Sequence, residues 1–487
     1  MMRAMRARPG RTWLALPLAV AACAAACGSK PAALSRDALL DPTTCAGCHP
    51  DQFAAWRGSM HAYASDDPVF LAMNRRGQRE TNGALGTFCV KCHAPMAVRD
   101  GKTKDGTDLA SLPRKYAGVT CFFCHSIDAI EGTHDAAVRL ATDGVIRGEY
   151  TDPKPNDAHA SAYSVFQDRD HAESSALCGA CHDIVAPPGA AIERTFAEWS
   201  GSVYAGARGA TCSQCHMDQS PAPAPIATGV TLARRTHDHA QPGVDLALGD
   251  FPDADAQRAK VRALLATTLQ TALCVRPAGA QSAIRVIADD VGAGHGFPSG
   301  AGQDRRVWFE VVATAGGATL YQSGVVPDGT APTALADPDL WLLRDCMFDR
   351  AGKETHRFWE AATFETNQLP WPVTFDALDP RFYRTHVVRA FPRAGGFDGA
   401  PDKVTLRVRV QPIGLDVLDE LVQSGDLDPA IAKKMGVLDV GEPLEWTPAT
   451  ATETYVEDGV PVRCVTKSNL SVGADKFPAP ERARCGP

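Results

Sequence analysis

After residue 30 the 487-residue sequence has no apolar run long enough to span a bilayer. It has no long run of Lys or Arg either, and its formal net charge is −8. Both features argue against a nucleic acid partner. Residues 31–250 contain few long apolar periodic stretches and much Gly, Pro, Ala and short polar turn. Such a segment buries little side-chain core of its own, so something other than its side chains must supply the missing apolar mass.

The one continuous apolar stretch lies at the start. Arg3, Arg6, Arg8 and Arg11 surround the beginning of "WLALPLAVAACAAAC", a short run that ends in small residues. That is the pattern of an export signal. Cys23 in "VAAC" and Cys27 in "AAACGS" both resemble a lipobox cysteine. Cys27 leads into a polar linker and is the preferred lipidation site. Residues 1–27 are therefore read as a lipoprotein-type signal peptide. The mature chain is expected in the periplasm or on the outer cell surface, where disulfides form.

Ten of the 16 cysteines fall into one repeated pattern. C-x-x-C-H occurs as "CAGCH" (45–49), "CVKCH" (89–93), "CFFCH" (121–125), "CGACH" (178–182) and "CSQCH" (212–216). Chance would supply only about 0.02 copies of this c-type haem attachment motif in the whole chain. Two thiols two residues apart reach the two vinyl groups of one haem, and the adjacent histidine reaches its iron. Zinc would need a second ligand pair and has no use for a His after every second Cys. A thioredoxin-like role uses one such motif, not five. The expected cofactor is five covalently bound haems c. Cys45/Cys48, Cys89/Cys92, Cys121/Cys124, Cys178/Cys181 and Cys212/Cys215 are the attachment cysteines. His49, His93, His125, His182 and His216 are the proximal iron ligands.

Nine of the 14 histidines lie outside the motifs, enough to saturate every iron. Saturated irons pass electrons, whereas an open iron can bind substrate. His61, His159, His171, His239 and His295 are the expected distal ligands. His134 and His237 compete with His159 and His239, and His356 and His386 are read as structural. Met60, Met96 and Met217 are read as packing residues rather than ligands.

The order "TCAGCHPDQFAAWRGSMHAYASDDPVF", "GTFCVKCHAP", "GVTCFFCHSI", "SALCGACHDI…IERTFAEW" and "GATCSQCHMD" resembles the cytochrome c554-related multihaem cytochromes over residues 40–240. The resemblance implies closely stacked haems, mostly bis-His ligation and electron transfer with other redox proteins. Two departures stand out. The founding members carry four haems, and this chain adds a fifth motif and a long C-terminal region.

That region changes character. "DADAQRAKVRALLATTLQTAL" places Val261, Leu264, Leu265, Leu269 and Leu273 near helical spacing, so residues 251–274 are read as a connecting helix. "AIRVIADDV", "RRVWFEVVAT", "HVVRAF" and "VTLRVRVQP" alternate with period two, and Gly316-Gly317 joins two strands as a hairpin. The fold class read here is a mainly irregular and α multihaem domain (28–250), then an all-β, sandwich-like domain (275–487). A short helical insert lies near 415–436, with Asp428 as cap, Pro429 in the first turn and Gly436 as stop. Cys274, Cys346, Cys464 and Cys485 are expected to form two disulfides, with three connectivities open.

One histidine of the β region stands apart. "GHGFPSG" (294–300) sets His295 between glycines, with Pro298 fixing the turn. Similar loops recur after the haems in longer members of the resembled family. The glycines are expected to let the backbone approach a flat ligand, so that the β domain reaches back and gives His295 to an iron. The function read from all this is a periplasmic or outer-surface electron-transfer cytochrome, lipid-anchored, with other cytochromes as donor and acceptor. The alternatives are an oxidoreductase acting on a small nitrogen or sulfur compound at one open haem, and a β domain that serves as a docking module.

Overall fold

The computed structural model describes residues 33–206, 209–479 and 485. Cys23, Cys27 and the signal segment lie outside the described residues. No helix among those residues is long and apolar enough to cross a membrane.

The first half is helical and irregular. Its longest helix is α1 (Pro68–Glu80), capped by Asp67, whose side chain accepts from the Val69 N–H. The motifs themselves begin or end short helices, among them α2 (Cys121–Ser126) and, later, α3 (Thr195–Ser200) between motifs and α4 (Cys212–His216). Threonine stops the chain one residue before two of these motifs. Thr120 accepts from the Phe123 N–H, and Thr211 forms a reciprocal capping box with Gln214. The small apolar core of this half gathers around the motifs, with Phe70, Val90, Met96, Phe122, Phe123 and Ile127 buried together.

Helix α5 (Ala254–Thr268) crosses to the second half and buries Val261 and Leu265 against it. It is shorter than its apolar spacing predicts. Residues 270–278 form a strand instead, and Leu273 is fully buried in the β core. A leucine at helical spacing also satisfies period two, and the sheet's ladder takes it.

The second half is β-rich. Strands β1 (Gln270–Ala278), β2 (Gln281–Asp289), β3 (Arg306–Ala315), β4 (Ala318–Ser323), β5 (Asp345–Phe348), β6 (His386–Phe391), β7 (Lys403–Gln411), β8 (Glu453–Glu457) and β9 (Val460–Thr466) carry most of it. One sheet runs β8-β9-β1-β2-β6 and the other centres on β4-β3-β7, both antiparallel along these paths. In β7 the residues Val404, Leu406, Val408 and Val410 point inward, as the alternation predicts. They join Leu273, Val275, Ile284 and Val286 of the first sheet and Val307, Phe309 and Val311 of β3 in one core. Gly316 and Gly317 close the β3–β4 hairpin at φ 56° and 84°, the paired positive φ of a type I′ turn. Two disulfides form, Cys274–Cys464 between β1 and β9, and Cys346–Cys485 between β5 and the C-terminal end.

The helical insert has a use that its sequence did not reveal. Helix α6 (Leu415–Gln423) packs Val417, Leu418 and Leu421 onto Val69, Ala72 and Met73 of α1. Arg76 pairs with Glu420 at 2.9 Å and Arg79 with Asp426 at 2.5 Å across the same contact. On α1 itself, a Cβ on Gly77 would lie 2.9 Å from the Trp359 ring and 2.5 Å from Leu85. Later in the insert, Asp428 caps Pro429–Ala432, which ends before Gly436 is reached.

Phe309 is fully buried and stacks on Trp341 with ring centres 3.8 Å apart. Phe309→Ala is expected to cost about 3–5 kcal/mol. Chemical denaturation followed by tryptophan fluorescence checks it.

Candidate haem-binding sites

A helix that starts at the first cysteine of the motif puts positions i, i+3 and i+4 on one face. Both thiols and the histidine of the third and fifth motifs, whose helices start at Cys121 and Cys212, thus point the same way. All ten motif cysteines are free of disulfides, although two disulfides form elsewhere in the same chain.

Four of the five motif histidines have their Nδ1 atoms engaged. Nδ1–H donates to the carbonyl of Ile226 from His49 (2.8 Å), of Ala64 from His93 (3.0 Å), of Arg147 from His125 (2.6 Å) and of Pro242 from His216 (2.8 Å). These bonds fix the tautomer and leave Nε2 with its lone pair free, the arrangement of a metal-ligating imidazole. Outside the motifs the same device recurs. His159 donates to the Ala160 carbonyl, His239 to that of His237, and His295 to that of Gly296. His61 is held through Nδ1 by the side-chain oxygen of Gln241. Burial disfavours the charged imidazolium and pushes His182 and His239 down to about 4, so both are neutral at neutral pH.

Three of these outer rings face motif rings. The centres are 6.5 Å apart for His49 and His159, 6.0 Å for His61 and His182, and 6.3 Å for His125 and His239. One metal held at about 2.0 Å by a nitrogen of each ring needs ring centres roughly 6 Å apart. The residues present therefore fit bis-imidazole ligation. His295 is the outer imidazole that acts on His216. His93 differs. Its ring stacks flat on Phe70, centres 4.0 Å apart and planes 3° apart, and the imidazole that acts on it is His61, which already faces His182.

The remaining candidates lie elsewhere. His171 makes none of these ring pairings among the described residues, and its Nδ1 accepts from the Glu173 N–H at 3.3 Å. His237 binds Glu149 through Nε2 at 3.0 Å. His134 is exposed. His356 pairs with Glu420 and His386 with Asp289 inside the β region. Met96 is fully buried in the core, and Met60 and Met217 accept hydrogen bonds from Gln257 and Gln241. Gln241 thus serves His61 and Met217 at once. Nothing in the sequence marked it, because it meets His61 only in the folded chain.

The glycines of "GHGFPSG" meet different neighbours from those expected. A Cβ on Gly296 would lie 2.5 Å from Gln368 and 3.3 Å from Glu198, and one on Gly294 would lie 3.3 Å from the Tyr204 ring. Their small size admits side chains of the chain itself. The loop is stitched to α3, where Thr195 bonds Ser299 at 2.7 Å and accepts from the Gly300 N–H at 2.8 Å.

The thiols also record which motifs are neighbours. Cys45 lies within hydrogen-bonding reach of Cys121, Cys92 of Cys181, and Cys178 of Cys212. Cys124 in turn feels Cys181. The fourth motif therefore adjoins the second, third and fifth, and the first adjoins the third. Cys48 and Cys215, in the first and fifth motifs, are the exposed motif cysteines.

Repeated thiol pairs beside imidazoles, several of them facing a second imidazole across a metal-sized gap, are the donor set of c-type haem attachment sites. Among known proteins, residues 44–126 match the family of cytochrome c554 and c-prime. The fold of the chain is similar to that of a penta-heme cytochrome c552 from Thermochromatium tepidum, at 20% identity and a TM-score of 0.55, over 83% of this chain and 97% of that one. No curated protein matches the sequence.

Gly118 supports His61 from below. It sits at φ +67°, and a Cβ there would lie 2.6 Å from the carbonyl oxygens of His61 and Ala62. Gly118→Ala is expected to push His61 off His182. EPR of the haem-loaded protein checks it, as a gain in high-spin signal over the parent.

Proposed function

We propose that this chain is an exported electron-transfer cytochrome that holds five haems c. The facing imidazole pairs carry the reading, because each sets a motif histidine opposite an outer one across a gap that one iron would fill. The five Cys pairs attach the haems, and His49, His93, His125, His182 and His216 are the proximal ligands. His159, His239, His61 and His295 complete the first, third, fourth and fifth sites in turn. His171 does not take the remaining place on this reading, which leaves the site of His93 with one imidazole. Haem, when bound, supplies a one-electron Fe(III)/Fe(II) couple.

The chain's own residues arrange the path. Thiol contacts run from the first motif through the third and fourth to the fifth, with the second as a branch on the fourth. The exposed Cys48 and Cys215 mark the two ends at which redox partners exchange electrons. Burial disfavours the charged form of His61, His125, His182, His216, His239 and His295 and keeps water from competing for iron. The β region, sandwich-like in this reading, contributes His295 and so closes the last site.

Two experiments test this. Alkaline pyridine spectra are expected to give five haems per chain, and four or fewer contradict the reading. Oxidised protein is expected to show four low-spin irons and one high-spin. His295→Ala is expected to raise the high-spin count to two while five haems stay attached. His295→Met is expected to keep that iron low-spin and raise its potential, because thioether ligation favours Fe(II). An unchanged spin count in His295→Ala removes His295 from the ligand set.

The export segment, outside the described residues, supports lipid attachment at Cys27. The protein is expected to partition into detergent and to be released by Cys27→Ser, or by Cys23→Ser if cleavage falls earlier. Partitioning into water with both cysteines intact would mean ordinary secretion. A single acyl chain gives only marginal anchoring, and the lipoprotein modification adds more than one.

A further inference from the structure

Behind the His295 loop lies a group of buried carboxyls that neither iron ligation nor haem attachment employs. Asp345 opens β5 and is 4% exposed. Its Oδ2 accepts from Gln368 Nε2 at 3.0 Å, and the Thr366 side chain also hydrogen-bonds the carboxyl. A Cβ on Gly302 would lie 2.3 Å from Oδ2, so the space around the carboxyl is closed. Gln368 also reaches Glu198, whose Oε2 accepts from the Gly296 N–H at 3.2 Å and the Ser299 hydroxyl at 2.6 Å. Glu193 accepts from Gln303 Nε2 at 3.3 Å and faces the buried Asp304.

The cations around this group are committed elsewhere. Arg305 holds Asp245 through both Nη atoms, at 2.8 and 2.9 Å, and Arg194 holds Asp183 at 3.0 Å. Behind Asp304, Arg306 pairs with Asp416 and His356 with Glu420. The charged groups that act on Asp345 are Glu198 and Glu193, both acidic. Those that act on Glu193 are Asp304, Arg305 and Asp245. A buried carboxylate without a dedicated cation takes up a proton rather than bear the cost of desolvation. Burial, with the neighbouring acids, accordingly pushes Asp345 and Glu193 up to about 7.

The group also lies close to the haem motifs. Glu193 acts on Cys89 of the second motif, and Glu198 holds the backbone next to His295. We propose that Asp345 and Glu193 form a proton-binding site coupled to electron transfer. When a one-electron donor protein reduces an iron of the second or fifth motif from Fe(III) to Fe(II), one proton from solvent binds a carboxylate oxygen of this pair. One electron and one proton enter together, and the buried net charge does not change. The inference rests on the haem reading above.

The direction follows from charge. Reduction adds negative charge, so the reduced protein binds the proton more tightly than the oxidised one. The potential therefore falls as pH rises through the window that opens near 7, and it is flat below and above that window. Within it the electron affinity drops by up to tenfold per pH unit, equivalent to about 59 mV for one electron.

Spectroelectrochemical titration of the haem-loaded full chain from about pH 5 to about pH 9 tests this. At least one haem component is expected to show the falling slope, and Asp345→Asn combined with Glu193→Gln is expected to flatten it. Glu445→Gln, a remote exposed change, is expected to leave it intact. Flat wild-type potentials, or an unchanged slope in the double variant, overturn the proposal. If the double variant fails to load haem, redox-difference infrared spectra of the wild type decide. A carboxylic acid C=O band that shifts in D2O supports the site, and no such band overturns it. Fewer than five haems in the wild type would fail the functional reading, whereas five haems with flat potentials fail this inference alone.

Discussion

Two imidazoles held about one iron's width apart are the constraint on which the rest of the structure depends. A ligating imidazole almost always has its other nitrogen hydrogen-bonded, which fixes its tautomer and aims its ring. Most of these rings therefore bring a second requirement, a carbonyl or amide oxygen at Nδ1. His61 needs Gln241, His49 needs the Ile226 carbonyl and His216 needs the Pro242 carbonyl. Those partners come from segments far along the chain, so fixing the rings also fixes the path of a backbone with little core of its own. The stretch from Ile226 to Pro242, poor in helix and strand, has its place because it carries these oxygens.

The β region meets the same constraint from outside. Its two sheets share a conventional apolar core and two disulfides, and they would be stable for ordinary reasons. What they add is a rigid frame for the loop that brings His295 to His216. Thr195, Ser299, Glu198 and Gln368 tie that loop to the first half. Helix α6 makes a second, apolar tie to α1, bordered by the ion pairs of Arg76 and Arg79. Two separate contacts of different chemistry resist rotation about either one, and the distance across the last imidazole pair is kept. Buried acids at the seam follow from this geometry. Polar side chains are needed to hold a glycine-rich loop, and closing the seam leaves them dry.

Local chemistry made much of this legible in advance. The five attachment motifs depend on residues at fixed short spacing, so thiols, proximal histidine and cofactor follow from one stretch of chain each. The alternation in 403–411 and the Gly316-Gly317 turn are local in the same way, and the strand and hairpin appear where they predict. The 251–274 segment shows where local reading fails, since leucines that fit a helix also fit a strand and the neighbouring ladder decided. His171 shows what spacing alone leaves open. Proximity to Cys178 in sequence made it a candidate, and among the described residues its ring pairs with no motif ring.

The sequence by itself determined where the five C-x-x-C-H motifs lie, that two halves of unlike composition follow one another, and that four further cysteines are available to pair. Those features rest on covalent spacing and short-range periodicity, which survive without a fold. Only the tertiary structure decided which outer histidine faces which motif, that Gln241 aims His61, and that Cys274 pairs with Cys464 rather than Cys346. It also decided that Asp345 and Glu193 are shut away from any free cation. Each of these depends on the distance between residues remote in sequence, and packing sets that distance, not spacing along the chain.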